Sequence, residues 1–273
     1  MKTKLILLIA LLIAAAVHAE PRSFRVDVKG SGRPMILIPG LSSPGEVWDG
    51  TIAHFEKRFE CHRLTLAGFA GQKPIDGPFL PTVRRELADY IRAKKLDKPI
   101  IVGHSLGGFL AFWLASTDPD LVGAVIAVDG LPYLPGAMGG ATVTPEQIEQ
   151  MSRYIASQTA EQFAMQTRMS LSMMITRKED LERIAASSVK SDPATAGRAM
   201  QEMMTTDLRE AVAKIKVPVL LIGAGDGEET YAKQIAAIPH HELVMAKDSK
   251  HFVMLDVPDF FYATLDRFLG VKP

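Results

Sequence analysis

A small polar serine stands between two apolar segments near the middle of the chain. Residues 100 to 115 read IIVGHSLGGFLAFWLA, and within them residues 103 to 107, GHSLG, match the pattern GxSxG. The β-branched run before the pattern predicts a strand and the apolar run after it predicts a helix, which is the setting of a sharp strand-to-helix turn. Such a turn exposes the hydroxyl at a helix N-terminus, where amide groups and the helix dipole favour negative charge. The pattern therefore predicts that Ser105 is a nucleophile.

The two glycines of the pattern have a steric role in this prediction. A tight turn forces Ser105 into a strained backbone conformation and brings the neighbouring backbone very close. Side chains at positions 103 and 107 are expected to collide with that backbone. Both positions carry glycine in this sequence.

A serine hydroxyl is a weak nucleophile until a base takes its proton, so Ser105 needs a histidine within reach. In open α/β sheets the site lies outside the carboxyl ends of the strands. His251 meets this condition, because it follows the strand predicted at residues 242 to 246 by a short polar loop. The other histidines beyond the N-terminal segment precede a strand, lie in a helical pattern or point away from the hydroxyl: His54, His62, His104, His240 and His241.

The histidine in turn needs an acid that fixes its tautomer and stabilises the imidazolium ion. Asp226 is the first candidate, because it follows the strand of the segment VPVLLIGAG and completes the chain order Ser, Asp, His. Asp129 is the alternative, because it follows the preceding strand AVIAV at the same sheet edge. Glu228 and Glu229 are further alternatives.

Attack on a carbonyl also requires donors for the oxyanion. Leu106 follows the nucleophile and offers its backbone N–H at the start of the helix. The second donor is expected from the loop Pro39-Gly40-Leu41 after the strand MILI, where the N–H of Leu41 can point at the site.

The elements that must position these residues alternate between strand and helix patterns. Apolar, β-rich runs of this kind predict an α/β fold with a mostly parallel central sheet and helices on both faces. The predicted strands are residues 24 to 28, 35 to 38, 62 to 66, 99 to 103, 122 to 128, 217 to 223 and 242 to 246.

One segment, residues 131 to 213, interrupts this alternation and is predicted to be a helical insertion between two core segments, residues 20 to 130 and 214 to 273. Capping-box patterns begin at Thr144, Thr159 and Thr176, and Asp192-Pro193 resembles another helix start. The segment contains nine of the thirteen methionines, including Met165, Met169 and Met173 at four-residue spacing. These methionines either pack the insertion against itself or line an adaptable apolar pocket.

The N-terminal residues 1 to 19 combine two lysines, an apolar run and a small-residue cleavage pattern, which predict a secretory signal peptide. We therefore expect an exported protein, periplasmic or secreted, with no stable membrane insertion after cleavage.

With 31 basic and 31 acidic residues and no long run of either sign, nothing indicates a nucleic-acid partner. Cys61 is the only cysteine, so no internal disulfide forms. No dinucleotide, phosphate-loop or metal-ligand motif is present, so we expect no cofactor and no metal.

Taken together, the loop IPGL, the motif GHSLGG, the strand that leads to Asp226 and the segment SKHFVMLDVPDFF resemble the α/β-hydrolase fold superfamily, in its carboxylesterase-like members with a helical lid. The resemblance spans nearly all of the chain after the signal peptide. It implies the following roles: Ser105 as nucleophile, His251 as base, Asp226 as acid, Leu41 and Leu106 as oxyanion donors, and residues 131 to 213 as the lid.

The identity of the nucleophile limits the classes of reaction that we expect. Haloalkane dehalogenases and epoxide hydrolases of this superfamily use a carboxylate where this chain has Ser105, so acyl transfer through an acyl-serine remains. We expect hydrolysis of small or medium apolar carboxylic esters, because the insertion is rich in Met and Leu and has no charged cluster. Lactonase, thioesterase, aminopeptidase and acyltransferase activities on the same residues stay open, as does a non-catalytic protein that binds an apolar ligand. The oligomeric state is also left open.

Overall fold

The computed structural model describes residues 20–137 and 143–271, so the predicted signal peptide lies outside the described residues. The strands are β1 (Phe24–Gly30), β2 (Arg33–Ile38), β3 (Phe59–Leu66), β4 (Ile100–His104), β5 (Ala124–Val128), β6 (Val219–Ala224) and β7 (His241–Ala246). The helices are α1 (Asp49–Phe55), α2 (Leu80–Ala93), α3 (Leu106–Thr117), α4 (Pro145–Ala156), α5 (Ala160–Met174), α6 (Lys178–Ser188), α7 (Pro193–Thr205), α8 (Glu228–Ile235), α9 (Val253–Asp256) and α10 (Pro258–Leu269). None of these helices has both the length and the apolar character needed to cross a membrane.

All seven predicted strands are present and form one sheet in the order β1-β3-β2-β4-β5-β6-β7. Strand β1 pairs with β3 in antiparallel orientation, and every other neighbouring pair is parallel. This confirms the predicted α/β fold with a mostly parallel sheet. Because the parallel strands β2, β4, β5, β6 and β7 all end at one edge, the loops that follow them meet there.

The sheet is buried on both faces, as the apolar strand patterns predict. On β2, Met35 and Leu37 pack into one apolar cluster with side chains of α1 and α10. Ile36 and Ile38 alternate with them and pack into a second cluster with side chains of α2 and α3. Two helical layers therefore hold the sheet rigidly, and rigid strands position the loops at its carboxyl edge.

Between β5 and β6 the chain forms the four helices α4 to α7, with no strand among the described residues of this segment. Thr144 and Thr159 each complete a capping box at the start of α4 and α5, as predicted. The Asp192 side chain accepts a hydrogen bond from the Thr195 N–H at the start of α7, 2.8 Å away. These caps satisfy amide groups that the first helical turn leaves unpaired.

The capping box predicted at Thr176 is wrong. Helix α6 begins one residue later, with Arg177 at the N-cap position and no side-chain cap. The N–H of Thr176 instead donates to a carboxylate oxygen of Asp256, 2.8 Å away. A contact between distant parts of the chain has replaced the local one.

The single cysteine is buried in strand β3. Cys61 has no exposed surface, and burial, together with the nearby charge of Glu56, raises the pKa of its thiol to about 12. A thiol in this setting stays protonated and is a poor nucleophile. Cys61 is part of the core.

Candidate active site

Ser105 lies in the tight turn between β4 and α3, with backbone dihedrals φ 52° and ψ −117°. A positive φ is disfavoured for a residue with a Cβ, so the turn holds Ser105 in a strained conformation. A Cβ on Gly103 would lie 2.1 Å from the carbonyl oxygen of Gly107, and a Cβ on Gly107 would lie 2.2 Å from that of Ile38. This confirms the predicted collisions at both glycine positions.

Backbone contacts fix this turn against the end of β5. The N–H of Ser105 donates to the carbonyl oxygen of Val128 at 2.8 Å. Gly130 packs so closely on the turn that a Cβ there would lie 2.5 Å from the carbonyl oxygen of Ser105. Asp129, between these two residues, is therefore held beside the candidate nucleophile.

His251 lies in the loop after β7, at the sheet edge where the sequence predicts it. Its Nδ1 is hydrogen-bonded to Oδ2 of Asp129, and the two side chains are 25% and 10% exposed. An imidazole that donates from Nδ1 to a carboxylate keeps Nε2 available as a base. His251 and Ser105 line the same cavity.

The carboxylate at His251 is that of Asp129, which corrects the preference for Asp226. Asp129 follows β5 directly, and its N–H donates to the carbonyl oxygen of Ile222 in β6 at 2.8 Å, which keeps it level with the strand ends. Asp226 lies two residues beyond β6, after Gly225 with φ 65°, and is exposed.

The alternatives Glu228 and Glu229 are also exposed, in the first turn of α8. They begin the helix that follows the same turn. Among the four acids considered from the sequence, the structure therefore pairs His251 with the alternative Asp129 and not with Asp226, Glu228 or Glu229.

Two further donors hold the other oxygen of Asp129. The N–H of Ala224 donates to Oδ1 at 3.1 Å, and the hydroxyl of Tyr231 donates to the same atom. Burial acts to raise the pKa of the Asp129 carboxyl, but the hydrogen bond and charge of His251, with the bonds from Tyr231 and Ala224, outweigh it and lower that pKa. Asp129 is thus an ionised carboxylate with both oxygens occupied.

Sequence reasoning missed Tyr231. It lies in a short helix with no motif around it, and only its position seven residues beyond the end of β6 suggests proximity to the strand ends. The proximity depends on how tightly the turn before α8 folds back.

His104 supports His251 through the backbone. Its Nε2 lies 3.0 Å from the carbonyl oxygen of His251, and the two rings are 4.6 Å apart between centroids. Burial lowers the pKa of the His104 imidazole to about 3, and the neighbouring His251 adds to this effect. A neutral His104 therefore donates from Nε2 to the His251 carbonyl and holds that loop in place.

We expect acid to destabilise the protein through His104. Its pKa is about 3 in the folded state against an ordinary value of 6.5, so between these values the unfolded chain binds a proton that the folded chain does not. The free energy of unfolding is therefore unaffected by His104 above pH 6.5 and falls by roughly 1 kcal/mol per pH unit as the pH drops toward 3. Urea unfolding at about pH 7 and pH 5 measures this loss.

The matched variant for this measurement is His104→Gln, which keeps an N–H donor but does not titrate. We expect its stability to fall less between the two pH values than that of the wild type. Equal losses in both proteins would contradict the assignment to His104.

The two predicted oxyanion donors lie near Ser105. Leu106 is the first residue of α3, where backbone N–H groups have no partner within the helix. Leu41 follows β2 and lines the same cavity as Ser105. Gly40 lets this loop come close, because a Cβ there would lie 3.2 Å from Cβ of Ser105 and 3.0 Å from Nδ1 of His104.

The cavity above Ser105 has a volume of about 350 Å³ and is mainly apolar. Its lining residues are Gly40, Leu41, Ser42, Ser43, His104, Ser105, Leu134, Ile155, Gln158, Phe163, Gln166, Thr167, Ser170, Leu171, Met174, Ala196, Met200, Met203, His251 and Phe252. No Asp, Glu, Lys or Arg is among them. Within the described ranges, no group of three His, Cys, Asp or Glu side chains is arranged to hold a metal ion.

Six described methionines of the insertion show two kinds of placement. Met174, Met200 and Met203 line the cavity, as one of the two hypotheses expects. The three methionines at four-residue spacing neither pack the insertion against itself nor line the cavity. Met165, Met169 and Met173 are 66%, 59% and 65% exposed.

The reason lies in the helix geometry of α5. This helix packs through Phe163 and Leu171, which are buried, and the methionine stripe begins two positions later at Met165, about 200° around the helix. The stripe therefore faces away from the protein.

Comparison with known proteins gives consistent matches over most of the chain. A model of the alpha/beta hydrolase family matches residues 35–264. The pimeloyl-(acyl-carrier protein) methyl ester esterase of Nitrosomonas europaea is 26% identical over 263 residues, covering 89% of this chain and 98% of that protein.

Solved structures with low sequence identity share the fold. A hydrolase from Pseudomonas aeruginosa superposes with a TM-score of 0.79 at 18% identity, covering 91% of this chain and 94% of that one. The enol-lactonase from Burkholderia xenovorans superposes with a TM-score of 0.78 at 18% identity, covering 90% and 96%.

Proposed function

The chain belongs to the alpha/beta hydrolase family, and we propose that it hydrolyses carboxylic esters through an acyl-enzyme intermediate on Ser105. One observation carries this proposal: Nδ1 of His251 is hydrogen-bonded to Asp129 in a cavity that Ser105 also lines. A strained serine, an oriented imidazole and an ionised carboxylate are the groups that acyl transfer requires. The match to methyl ester esterases supports an ester as the bond that is cleaved.

The first half-reaction forms the acyl-enzyme. Oγ of Ser105 attacks the carbonyl carbon while Nε2 of His251 takes the hydroxyl proton, and Asp129 stabilises the resulting imidazolium. The N–H groups of Leu106 and Leu41 stabilise the oxyanion. The intermediate collapses as the alkoxide takes the proton from His251 and leaves as an alcohol.

The second half-reaction releases the acid. His251 takes a proton from a water molecule, whose oxygen attacks the acyl carbon on Ser105. The same two N–H groups stabilise the second oxyanion. Its collapse breaks the bond to Oγ, returns the proton from His251 to Ser105 and frees the carboxylic acid.

The cavity lining supports a small or medium apolar acyl group as the substrate. Burying a charged group without a partner costs several kcal/mol, and the lining has no Lys or Arg to pair with a substrate carboxylate. The volume of about 350 Å³ lies at the low end of small-molecule sites. We therefore infer that the acyl chain is uncharged.

We also propose that α4 to α7 act as a lid over this site. Phe163 and Leu171 of α5 and Met200 and Met203 of α7 line the cavity that Ser105 also lines. Unbranched methionine side chains adapt to ligands of different shape. Such a lid selects the acyl chain while the core performs the reaction.

A matched pair of esters tests the proposed substrate class. We expect p-nitrophenyl butyrate to be hydrolysed with kcat/KM at least about tenfold higher than the p-nitrophenyl monoester of succinate, which has the same chain length and a terminal carboxylate. A butyryl thioester, a butyranilide and a γ-lactone test the scissile bond. Preference for the succinate ester would contradict the uncharged acyl chain, and preference for the thioester, anilide or lactone would contradict ester hydrolysis.

Export is a separate proposal that rests on residues 1–19. The lysines, the apolar run and the pattern Val17-His18-Ala19 support cleavage before Glu20. N-terminal sequencing of protein recovered outside the cytoplasm is expected to begin near Glu20. A recovered protein that begins at Met1 would contradict it.

A further inference from the structure

We propose that Tyr231 is a positioning residue for ester hydrolysis and acts through the Asp129 carboxylate. This inference rests on the function proposed above and adds a residue to the machinery of that site. Tyr231 belongs to α8, outside the cavity lining, and so does not contact the substrate. Its effect on the reaction must pass through Asp129.

The hydrogen bonds divide the two oxygens of Asp129 between different partners. Oδ2 accepts from Nδ1 of His251, and Oδ1 accepts from the Tyr231 hydroxyl and from the Ala224 N–H. With both oxygens occupied, the carboxylate cannot rotate without breaking a bond. The plane of the carboxylate, and with it the direction in which His251 is held, is therefore set in part by Tyr231.

The ring of Tyr231 packs closely against two glycines, Gly223 and Gly227. A Cβ on Gly223 would lie 3.0 Å from Cε2 of Tyr231, and a Cβ on Gly227 would lie 3.1 Å from the same atom. Any larger residue would press on the ring. The turn between β6 and α8 thus leaves room for an aromatic side chain whose hydroxyl reaches the end of β5.

The backbone conformation of Asp129 is a reason for the contacts that support its side chain. Asp129 has φ 47°, a conformation that residues with a Cβ adopt at some cost. Contacts around such a residue must hold it in place. The sequence suggests that the segment after β6 supplies the acid, Asp226. This segment instead supplies the Tyr231 hydroxyl, which holds Asp129 at the end of the neighbouring strand β5.

We expect Tyr231→Phe to change both the rate and its pH dependence. A hydrogen bond to a charged group is lost, so kcat should fall about tenfold with little change in KM. Without the Tyr231 bond, the charge of the Asp129 carboxylate is shared with one hydrogen-bond donor fewer. The acid limb of the kcat/KM profile should therefore move to higher pH by about half a unit.

The matched control is Tyr90→Phe, which removes the same hydroxyl from a hydrogen bond outside the site. The Tyr90 hydroxyl lies 2.8 Å from Nδ1 of the buried His62. This variant should lose stability in thermal unfolding but keep the wild-type kcat and the wild-type acid limb. The comparison separates a positioning role from the general cost of a lost buried hydrogen bond.

The experiment measures p-nitrophenyl butyrate hydrolysis from about pH 5 to pH 9 for the wild type and both variants, with Ser105→Ala as the zero reference. A reduced kcat and a shifted acid limb in Tyr231→Phe alone support the proposal. Wild-type kinetics in Tyr231→Phe, or equal changes in both tyrosine variants, would overturn it while leaving the proposed function intact. Wild-type activity no greater than that of Ser105→Ala would overturn the proposed function and this inference together.

Discussion

Replacing Asp129 with asparagine should reduce kcat for ester hydrolysis by about 10⁴-fold, while Asp226→Asn should remain within a few-fold of the wild type. The amide has nearly the shape of the carboxylate, but it neither stabilises the imidazolium nor selects the tautomer of His251 that keeps Nε2 free. Asp226 is exposed in the turn after β6 and has no part in this hydrogen bond. Steady-state hydrolysis of p-nitrophenyl butyrate by both variants measures the difference.

The two variants control for one another. Each removes one negative charge and one carboxylate oxygen, so a difference in rate cannot come from net charge. A large loss of activity in Asp226→Asn with near-normal activity in Asp129→Asn would show that the acid is the one after β6 and that the His251–Asp129 hydrogen bond has no catalytic role.

The second large effect is expected at the nucleophile. Ser105→Ala should lower kcat by about 10⁶-fold, leaving only what binding and the oxyanion donors contribute. Alanine keeps the Cβ at the same strained backbone position, so we expect its melting temperature to stay close to that of the wild type. The rate of p-nitrophenol release under saturating ester measures the effect.

Ser172→Ala is the matched control for this variant. Ser172 is exposed on α5, outside the cavity lining, and its hydroxyl donates to the carbonyl oxygen of Met169, 2.7 Å away. Its hydroxyl should be dispensable, with kcat within a few-fold of the wild type. A Ser105→Ala protein that retained wild-type turnover would exclude the acyl-serine mechanism.

Much of the fold could be predicted because parallel strands that are buried on both faces have continuous apolar sequences. The stretch Ile100 to Val102, for example, is buried at every position. Ser105 and His251 could be placed at one sheet edge for a similar reason, since each follows a strand whose direction is set by its neighbours. These inferences depend only on local pattern and on the rules of parallel sheets.

The acid could not be chosen in the same way. Asp129 and Asp226 both follow adjacent parallel strands, and the spacing of residues along the chain favours neither. The choice depends on the turn after β6, which leaves Asp226 exposed, and on the fold-back that brings Tyr231 to Asp129. Both are tertiary features with no motif in the sequence.

The prediction for the methionine stripe of α5 was wrong for a related reason. Four-residue spacing of Met165, Met169 and Met173 indicates one helical face, but it does not indicate whether another element covers that face. Phe163 and Leu171, on the other side of the helix, face the protein instead. Periodicity identifies a face, and only packing decides which face is buried.

In the proposed mechanism, His251 is held by Asp129 and activates Ser105. Covalent labelling with a fluorophosphonate, followed by peptide mapping and measurement of the labelling rate, tests this without assuming a substrate. The proposed mechanism predicts one phosphonyl group on Ser105, with a labelling rate that falls strongly in Asp129→Asn and is kept in Asp226→Asn. Absence of an adduct on Ser105, or equal rates in the wild type and Asp129→Asn, would contradict it.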